Sequence, residues 1–345
     1  MKKIRVAING FGRIGRAFFK MSHNHPQFEV VAINDLGDIE NLAYLLKYDT
    51  VYGQSAFTIT TAPGTLTVNG KTIAFYSERE PQKLPWKDNA IDIVLEATGI
   101  FASYEKAKVH LDAGAHRVVV TAPVKDDPKA AGVTGATVLM GVNEPALGTC
   151  DISSNGSCTT NATSPLIGIL KEAVGIEKAV LNTVHAYTAT QSIVDGPSKK
   201  DFRSGRAAAQ NIIPSTTGAA IATTLVHPDL TGNFDGMAMR VPVPTGSIVD
   251  VTFIAKKDTS VAEVNAALTD AARKAPWKEI FAVVEEPIVS SDIIGARYAS
   301  IADLSFTRVV GGNLVKVLAW YDNESSYTHT LVQHVARSAE ALSGK

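Results

Sequence analysis

Near the start of the chain, apolar residues cluster at Ile4, Val6, Ala7 and Ile8, and the run stops at Asn9-Gly10. Residues 3–9 therefore read as a buried strand, residues 10–15 as a tight glycine turn and residues 14–21 as the helix that follows. Glu29-Val30-Val31-Ala32-Ile33-Asn34 reads as a second strand. Further apolar strands are expected at residues 91–96, 117–121 and 137–142, with a crossover helix over residues 104–113. Strands alternating with helices predict a doubly wound parallel sheet. Residues 52–73 break the pattern with short threonine-rich strands and an Asn69-Gly70 turn, which predicts an antiparallel insertion.

The character changes after Cys158. Residues 159–173 read as a helix, 178–185 as a strand, and 192–210 as a loop rich in glycine, serine and charge, too long for an idle connector. Alternating runs at 236–243, 247–256 and 312–321, interrupted by a helix at 260–274, predict a mostly antiparallel sheet covered by helices. Residues 324–342 form a last amphipathic helix, with Leu331, Val332, Val335, Ala339 and Leu342 near one stripe, expected to return to the first domain. The fold class is α/β: a Rossmann-type doubly wound parallel sheet and a second α+β domain of mostly antiparallel sheet. The expected division is 1–157, 158–323 and a returning helix at 324–345.

Length agrees with two domains, since 345 residues exceed what one hydrophobic core usually supports. Charge narrows the partners: 33 basic against 34 acidic residues leave a net charge of -1, so no bulk field gathers a polyanion or anionic lipid. Nucleic acid is not indicated. The N-terminal run lacks the apolar core and cleavage pattern of a signal peptide, and no stretch is apolar for long enough to span a membrane. The only cysteines, Cys150 and Cys158, make neither a disulfide framework nor a tetrahedral metal site, so the expectation is a cytosolic protein without metal.

Two constellations carry chemistry. Gly10-Phe11-Gly12-Arg13-Ile14-Gly15 matches GxGxxG, whose glycines let a pyrophosphate approach a helix N-terminus. Alone it is a weak signal. The preceding strand, the following helix and Asp35 at the end of the second strand strengthen it, because an acid there accepts hydrogen bonds from a ribose diol. In Ser154-Asn155-Gly156-Ser157-Cys158-Thr159-Thr160-Asn161, a cysteine stands at a loop-to-helix junction, where helix-start amides favour a thiolate. A buried structural cysteine is an equally good reading of that spacing. His185, at the end of a strand, is compatible with a base in the same cleft and equally with a satisfied polar histidine.

Taken together, Asn9 to Arg16, Leu45-Leu46-Lys47-Tyr48-Asp49, the cysteine octapeptide, His185-Ala186-Tyr187-Thr188, Arg206-Ala207-Ala208-Ala209 and Trp320-Tyr321-Asp322-Asn323-Glu324 resemble the phosphorylating glyceraldehyde-3-phosphate dehydrogenases. The resemblance runs in order along nearly the whole chain. It implies NAD as cofactor, a sugar phosphate and inorganic phosphate as substrates, a homotetramer, and a reaction shared by glycolysis and gluconeogenesis. Cys158 is implied as the nucleophile that carries a thioester and His185 as its base. Thr188, Thr190 and Arg240 are implied to hold the substrate's phosphate, and Ser157, Thr159, Thr217 and Gly218 the attacking phosphate. For the cofactor the resemblance implies Gly10, Gly12, Arg13, Ile14, Gly15, Asp35, Thr98, Gly99 and Thr121. It adds Asn323 at the carboxamide, Tyr327 on the final helix, and Pro197 reaching from a neighbouring subunit.

The chain departs from the family pattern at three places. Gly156 replaces a common alanine, Ala162 stands where many relatives carry a second cysteine, and Ser204 occupies a position that is arginine in many bacterial relatives. Cys150 reads as structural. A sister activity on erythrose 4-phosphate would keep the cofactor, nucleophile and base. A non-enzymatic nucleotide- or RNA-binding protein would have no use for that complete set.

Overall fold

An added Cβ at Gly15 would lie 2.1 Å from the Gly10 carbonyl oxygen, and one at Gly10 would lie 2.7 Å from the Ala97 backbone. Gly10 also has φ 97°, a left-handed conformation that favours glycine. These contacts let the strand Ile4–Asn9 turn directly into the helix Arg13–Ser22. The structure, a computed structural model, describes residues 3–199 and 201–343. Lys200, within the expected loop at 192–210, lies outside the described residues. The chain divides into two compact units. The first comprises residues up to Val138, Asn143–Gly156 and residues from Leu331, and the second comprises Leu139–Val142 and Ser157–Thr330.

The first unit holds a nine-stranded sheet. Its order is Gly135–Thr137, Ile152–Ser154, Arg117–Val120, Ile93–Glu96, Ile4–Asn9, Phe28–Asn34, Lys71–Tyr76, Thr65–Val68 and Ile59–Ala62. The first seven pair in parallel. The last three form antiparallel hairpins that extend the sheet. Asn69 (φ 50°) and Gly70 (φ 78°) supply the two left-handed residues of the tight turn between its last strands.

Two expectations for this unit need correction. The strand at 137–142 stops at Thr137, because Gly141 turns the chain with φ 74° and packs so closely that an added Cβ would meet Ile280 at 2.7 Å. The crossover helix is two short pieces, Tyr104–Ala107 and Val109–Asp112, broken at Lys108.

The second unit holds seven strands in the order Ile213–Thr216, Phe234–Val241, Ile176–Ala186, Ser247–Ala255, Leu314–Tyr321, Ser300–Val310 and Phe281–Val284. Antiparallel pairs predominate, with parallel pairing of Ile176–Ala186 to Phe234–Val241 and of Phe281–Val284 to Ser300–Val310. Along Ser247–Ala255 burial alternates strictly, so Val249, Val251 and Phe253 face the core. There they share one apolar cluster with Leu166, Ile167 and Leu170 of the helix Cys158–Ala173.

That helix begins at the cysteine itself. The Ser157 hydroxyl caps it by accepting from the Thr160 amide at 3.0 Å. The final helix, Ser325–Ser343, starts in the second unit and belongs to the first from Leu331 onward. In the first unit His334 Nε2 lies 2.7 Å from Ser153 Oγ. Leu331, Val335 and Ala339 are buried, while Val332 and Leu342 are only half-buried.

The glycine contacts give a direct test. Gly15→Ala is expected to destabilise the protein by about 1–3 kcal/mol through overpacking against the Gly10 carbonyl. A lowered thermal midpoint checks this, and an unchanged one would mean that the turn yields freely.

Candidate active site

Parallel strands place their C-terminal ends on one edge of a sheet, the edge where ligands bind in open α/β folds. At that edge in the first unit, the helix Arg13–Ser22 begins at Gly12, whose lack of a side chain leaves no side-chain cap there. An added Cβ at Gly12 meets nothing within 4 Å, so the start of the helix is uncrowded at this residue, as a glycine turn that takes a pyrophosphate requires.

Asp35 stands beside the turn. Its Oδ2 accepts from the Phe11 amide at 2.6 Å and its Oδ1 from the Gly37 amide at 2.8 Å. A carboxylate offers about four acceptor positions, so two remain for a diol. The Arg13 guanidinium is drawn to Asp49 at 2.9 Å and lies over the Tyr52 ring, leaving the backbone at Arg13 and Ile14 to face the turn. Thr98, Gly99 and Thr121 follow the ends of Ile93–Glu96 and Arg117–Val120, and Gly99 has φ 72°. These residues fit a dinucleotide.

In the second unit, the helix start and the end of the strand Ile176–Ala186 bring Cys158 Sγ within 3.3 Å of His185 Nε2. His185 Nδ1 lies 2.7 Å from the Ala186 carbonyl and 2.7 Å from Arg240 Nη1, while that guanidinium nitrogen also reaches the Ala186 carbonyl at 3.0 Å. The two contacts at Nδ1 compete, because a guanidinium can only donate and a carbonyl can only accept. Arg240 keeps the carbonyl as its own acceptor, so Nδ1–H on Ala186 satisfies both groups. Nε2 is then a lone pair facing the thiol.

Burial governs the charges here. It pushes the Cys158 thiol up from its ordinary 9.0, against the lowering influence of Arg240 and the Thr159 hydrogen bonds. It pulls His185 down to about 3, helped by the Arg240 charge. Both shifts favour a neutral thiol beside a neutral imidazole in the ligand-free site. Desolvation thus opposes the thiolate that the helix-start amides favour.

Sequence reasoning assigned no role to Tyr321, and the structure puts it at the centre. Its hydroxyl bridges Thr159 Oγ1 at 2.9 Å and Thr183 Oγ1 at 2.8 Å, and its ring stands edge-on to His185 with centroids 5.8 Å apart. The motif that contains it was visible, but no signal in the sequence separated it from its neighbours. The contact also turns the Thr159 hydroxyl toward Tyr321, and Ser157 spends its hydroxyl on the helix cap.

The remaining expected residues belong to the second unit. Thr188 and Thr190 face each other with hydroxyls 2.9 Å apart. Thr217 Oγ1 accepts from the Ala219 amide at 3.1 Å, next to Gly218 at the start of the helix Ala219–Thr224. Arg240 Nε is buried with no hydrogen-bond partner among the described residues, a donor left unsatisfied beside His185. Asn323 Oδ1 takes donors from Gly246 N, Ser247 Oγ and Thr245 Oγ1 at 3.0–3.3 Å, which fixes its NH2 end as the one able to meet a carboxamide oxygen. Tyr327 is buried in the first turn of the final helix, and Pro197 is exposed on its loop.

The neutral pair has a measurable signature. Alkylation of Cys158 by iodoacetamide in the ligand-free protein is expected to rise with pH, with its midpoint above the ordinary thiol range and no plateau between about pH 6 and 8. A plateau in that window would reveal a thiolate–imidazolium pair and overturn the assignment of neutral groups.

Comparison with known proteins identifies the family. Residues 4–104 match the NAD binding domain of glyceraldehyde 3-phosphate dehydrogenase, and residues 157–323 match the C-terminal domain of the same family. A glyceraldehyde-3-phosphate dehydrogenase of Clostridium acetobutylicum is 47% identical over 341 residues, covering 97% of this chain and 98% of the relative. That of Geobacillus stearothermophilus is 46% identical over 335 residues, covering 96% and 97%. Glyceraldehyde-3-phosphate dehydrogenase 1 of Bacillus subtilis is 44% identical over 339 residues, covering 98% of each chain. With both domains matched in order and nearly half of all residues shared from end to end, the chain belongs to the glyceraldehyde-3-phosphate dehydrogenase family.

Proposed function

We propose that this enzyme oxidises D-glyceraldehyde 3-phosphate to 1,3-bisphosphoglycerate with NAD and inorganic phosphate, through a thioester on Cys158. The observation that carries the mechanism is the 3.3 Å approach of Cys158 Sγ to His185 Nε2 beside Arg240. Because the resting pair is neutral, the thiol proton passes to Nε2 as sulfur attacks the aldehyde carbon, and then to the new oxyanion to give a hemithioacetal. His185 takes that hydroxyl proton back as the C–H bond breaks. NAD, when bound, accepts the hydride at C4 of its nicotinamide. Phosphate then attacks the thioacyl carbon, the C–S bond breaks, and the proton on His185 returns to sulfur.

Arg240 Nε, with the facing hydroxyls of Thr188 and Thr190, suits the substrate's own phosphate. The attacking phosphate is left with Thr217, the Gly218 backbone and what Ser157 and Thr159 retain. Ser204 supplies no cation there. On the cofactor, Asp35 selects NAD, since an added 2'-phosphate would meet its carboxylate in a partly desolvated site. Lys47 does not relieve that repulsion, as its ammonium donates to the Phe57 carbonyl at 2.7 Å.

The reading extends to a homotetramer. Ile193, Val194 and Phe202 on the loop at 192–210 are 70%, 72% and 89% exposed, apolar surface that a neighbouring subunit would cover, and Pro197 lies on the same loop. Cross-links within the loop stiffen it for such a role: Asp195 pairs with Arg206 at 3.0 Å, and Gly196 donates to Gly205 at 2.8 Å. The cytosol, where a working thiol stays reduced, is the assigned compartment. No helix among the described residues is long and apolar enough to cross a membrane.

Initial rates with NAD and NADP, each with and without phosphate, test the reaction. Turnover should require phosphate and favour NAD, Cys158→Ser should lose nearly all oxidation while still binding NAD, and Asp35→Ala should narrow the cofactor preference. Equal use of NADP by the unaltered enzyme, or faster oxidation of erythrose 4-phosphate, would sink the corresponding assignment. Sedimentation at micromolar concentration should give a tetramer, and a monomer would defeat the loop's proposed role.

A further inference from the structure

Beneath the glycine turn lies a set of buried polar side chains that the chemistry above does not use. Asn34, Asn9 and Glu96 end three neighbouring parallel strands in register, Asn9 pairing with Asn34 on one side and with Glu96 on the other. Asn34 Nδ2 donates to Asn9 Oδ1 at 2.7 Å, and Asn9 Nδ2 donates to Glu96 Oε2 at 2.6 Å. His110 Nε2 reaches the same Oε2 at 3.0 Å, and Trp86 Nε1 reaches His110 Nδ1 at 3.1 Å. The other carboxylate oxygen, Oε1, accepts from the Thr98 amide at 2.8 Å and the Thr98 hydroxyl at 2.5 Å. Glu96 is 1% exposed, and Trp86 and His110 are wholly buried.

The polarity of this row is fixed at both ends. An indole N–H only donates, so His110 Nδ1 is bare and its proton sits on Nε2, directed at Glu96. At the far end the Glu78 backbone holds Asn34, its N–H donating to Oδ1 at 2.8 Å and its carbonyl accepting from Nδ2 at 2.9 Å. Every donor between these anchors therefore points toward the Glu96 carboxylate. Packing alone would be served as well by apolar groups of the same shape, because a buried carboxylate costs desolvation that only directed donors repay. What the charge adds is direction: it pins Thr98 and Asn9, the residues that border the Thr98-Gly99 turn and Gly10.

We propose that Glu96, with His110 as its partner, is a positioning residue for NAD, presetting the Thr98-Gly99 turn and the end of the first strand before the dinucleotide arrives. This rests on the reading of Gly10, Asp35, Thr98 and Gly99 as cofactor residues. An amide at position 96 would break the arrangement in either orientation. Its NH2 would face the Asn9 and His110 donors or the Thr98 amide, and neither anchor lets the row reverse.

The test is NAD binding by titration, with KM for NAD and for the aldehyde and NAD-free alkylation of Cys158 measured alongside. Glu96→Gln should raise the Kd and KM for NAD about tenfold, the scale of one buried polar mismatch, and leave aldehyde KM and alkylation within about twofold. His110→Gln can still accept from Trp86 and donate to Glu96, so it should stay near the parent, whereas His110→Leu should weaken NAD as Glu96→Gln does. If Glu96→Gln fails to fold, the His110 pair decides the matter. A folded Glu96→Gln with unchanged NAD affinity, or equal effects of His110→Gln and His110→Leu, would overturn the proposal. Parent protein that does not bind NAD at all would overturn the cofactor reading first and this proposal with it.

Discussion

A sulfur at the first residue of a helix and a nitrogen at the end of a strand must be held 3.3 Å apart, and most of the second unit serves that separation. The helix Cys158–Ala173 is buried on nearly every side, so it cannot roll. The strand Ile176–Ala186 has paired neighbours on both edges, so it cannot slide without breaking two ladders. Tyr321 locks the helix start and this strand to each other by hydrogen-bonding one threonine from each, with its ring against the imidazole. Burial disfavours charge on both groups, which favours the proton's resting on sulfur in the ligand-free site.

Much of this was legible in the sequence where local chemistry dictates local shape. The glycine turn, the Asn69-Gly70 hairpin, the alternation along Ser247–Ala255 and the start of the cysteine helix all follow from residue types at fixed spacing. What escaped was set by distant contacts. The strand Ser300–Val310 is among the longest, yet its burial pattern is irregular because its register with Leu314–Tyr321 shifts between Asp303 and Arg308, exposing Ser305 and Phe306 in succession. Ile152–Ser154 was hidden by its brevity, and Ile39–Lys47 was passed over although Asp38 caps it.

The site residues divide in the same way. Cys158 and His185 sit in distinctive words of the sequence, and the fold brings Arg240 to them. Tyr321 is a single letter in such a word and Glu96 only the last residue of an apolar strand, and their importance lies in which groups reach them in the fold. In each case orientation is imposed by groups with no freedom to choose: a backbone amide, an indole N–H, or three donors converging on the Asn323 oxygen. Gly156 belongs with these. At φ 63° it adopts a backbone that an alanine enters only with strain, so the departure from the family's octapeptide relieves the bend just before the nucleophile.

Asp35 has a bearing on redesign. The same carboxylate that would repel a 2'-phosphate also receives the Phe11 amide at 2.6 Å, so it braces the glycine turn while it screens cofactors. Deleting it to admit NADP removes the brace together with the repulsion, leaving a buried amide to find water. An engineer seeking a dual-cofactor enzyme would do better to keep a neutral acceptor at this position, such as asparagine or serine, and to bring in a cation from the exposed Leu36. On the proposed reading of Asp35, discrimination and scaffold integrity rest on one side chain, and an evolving lineage would meet the same coupling.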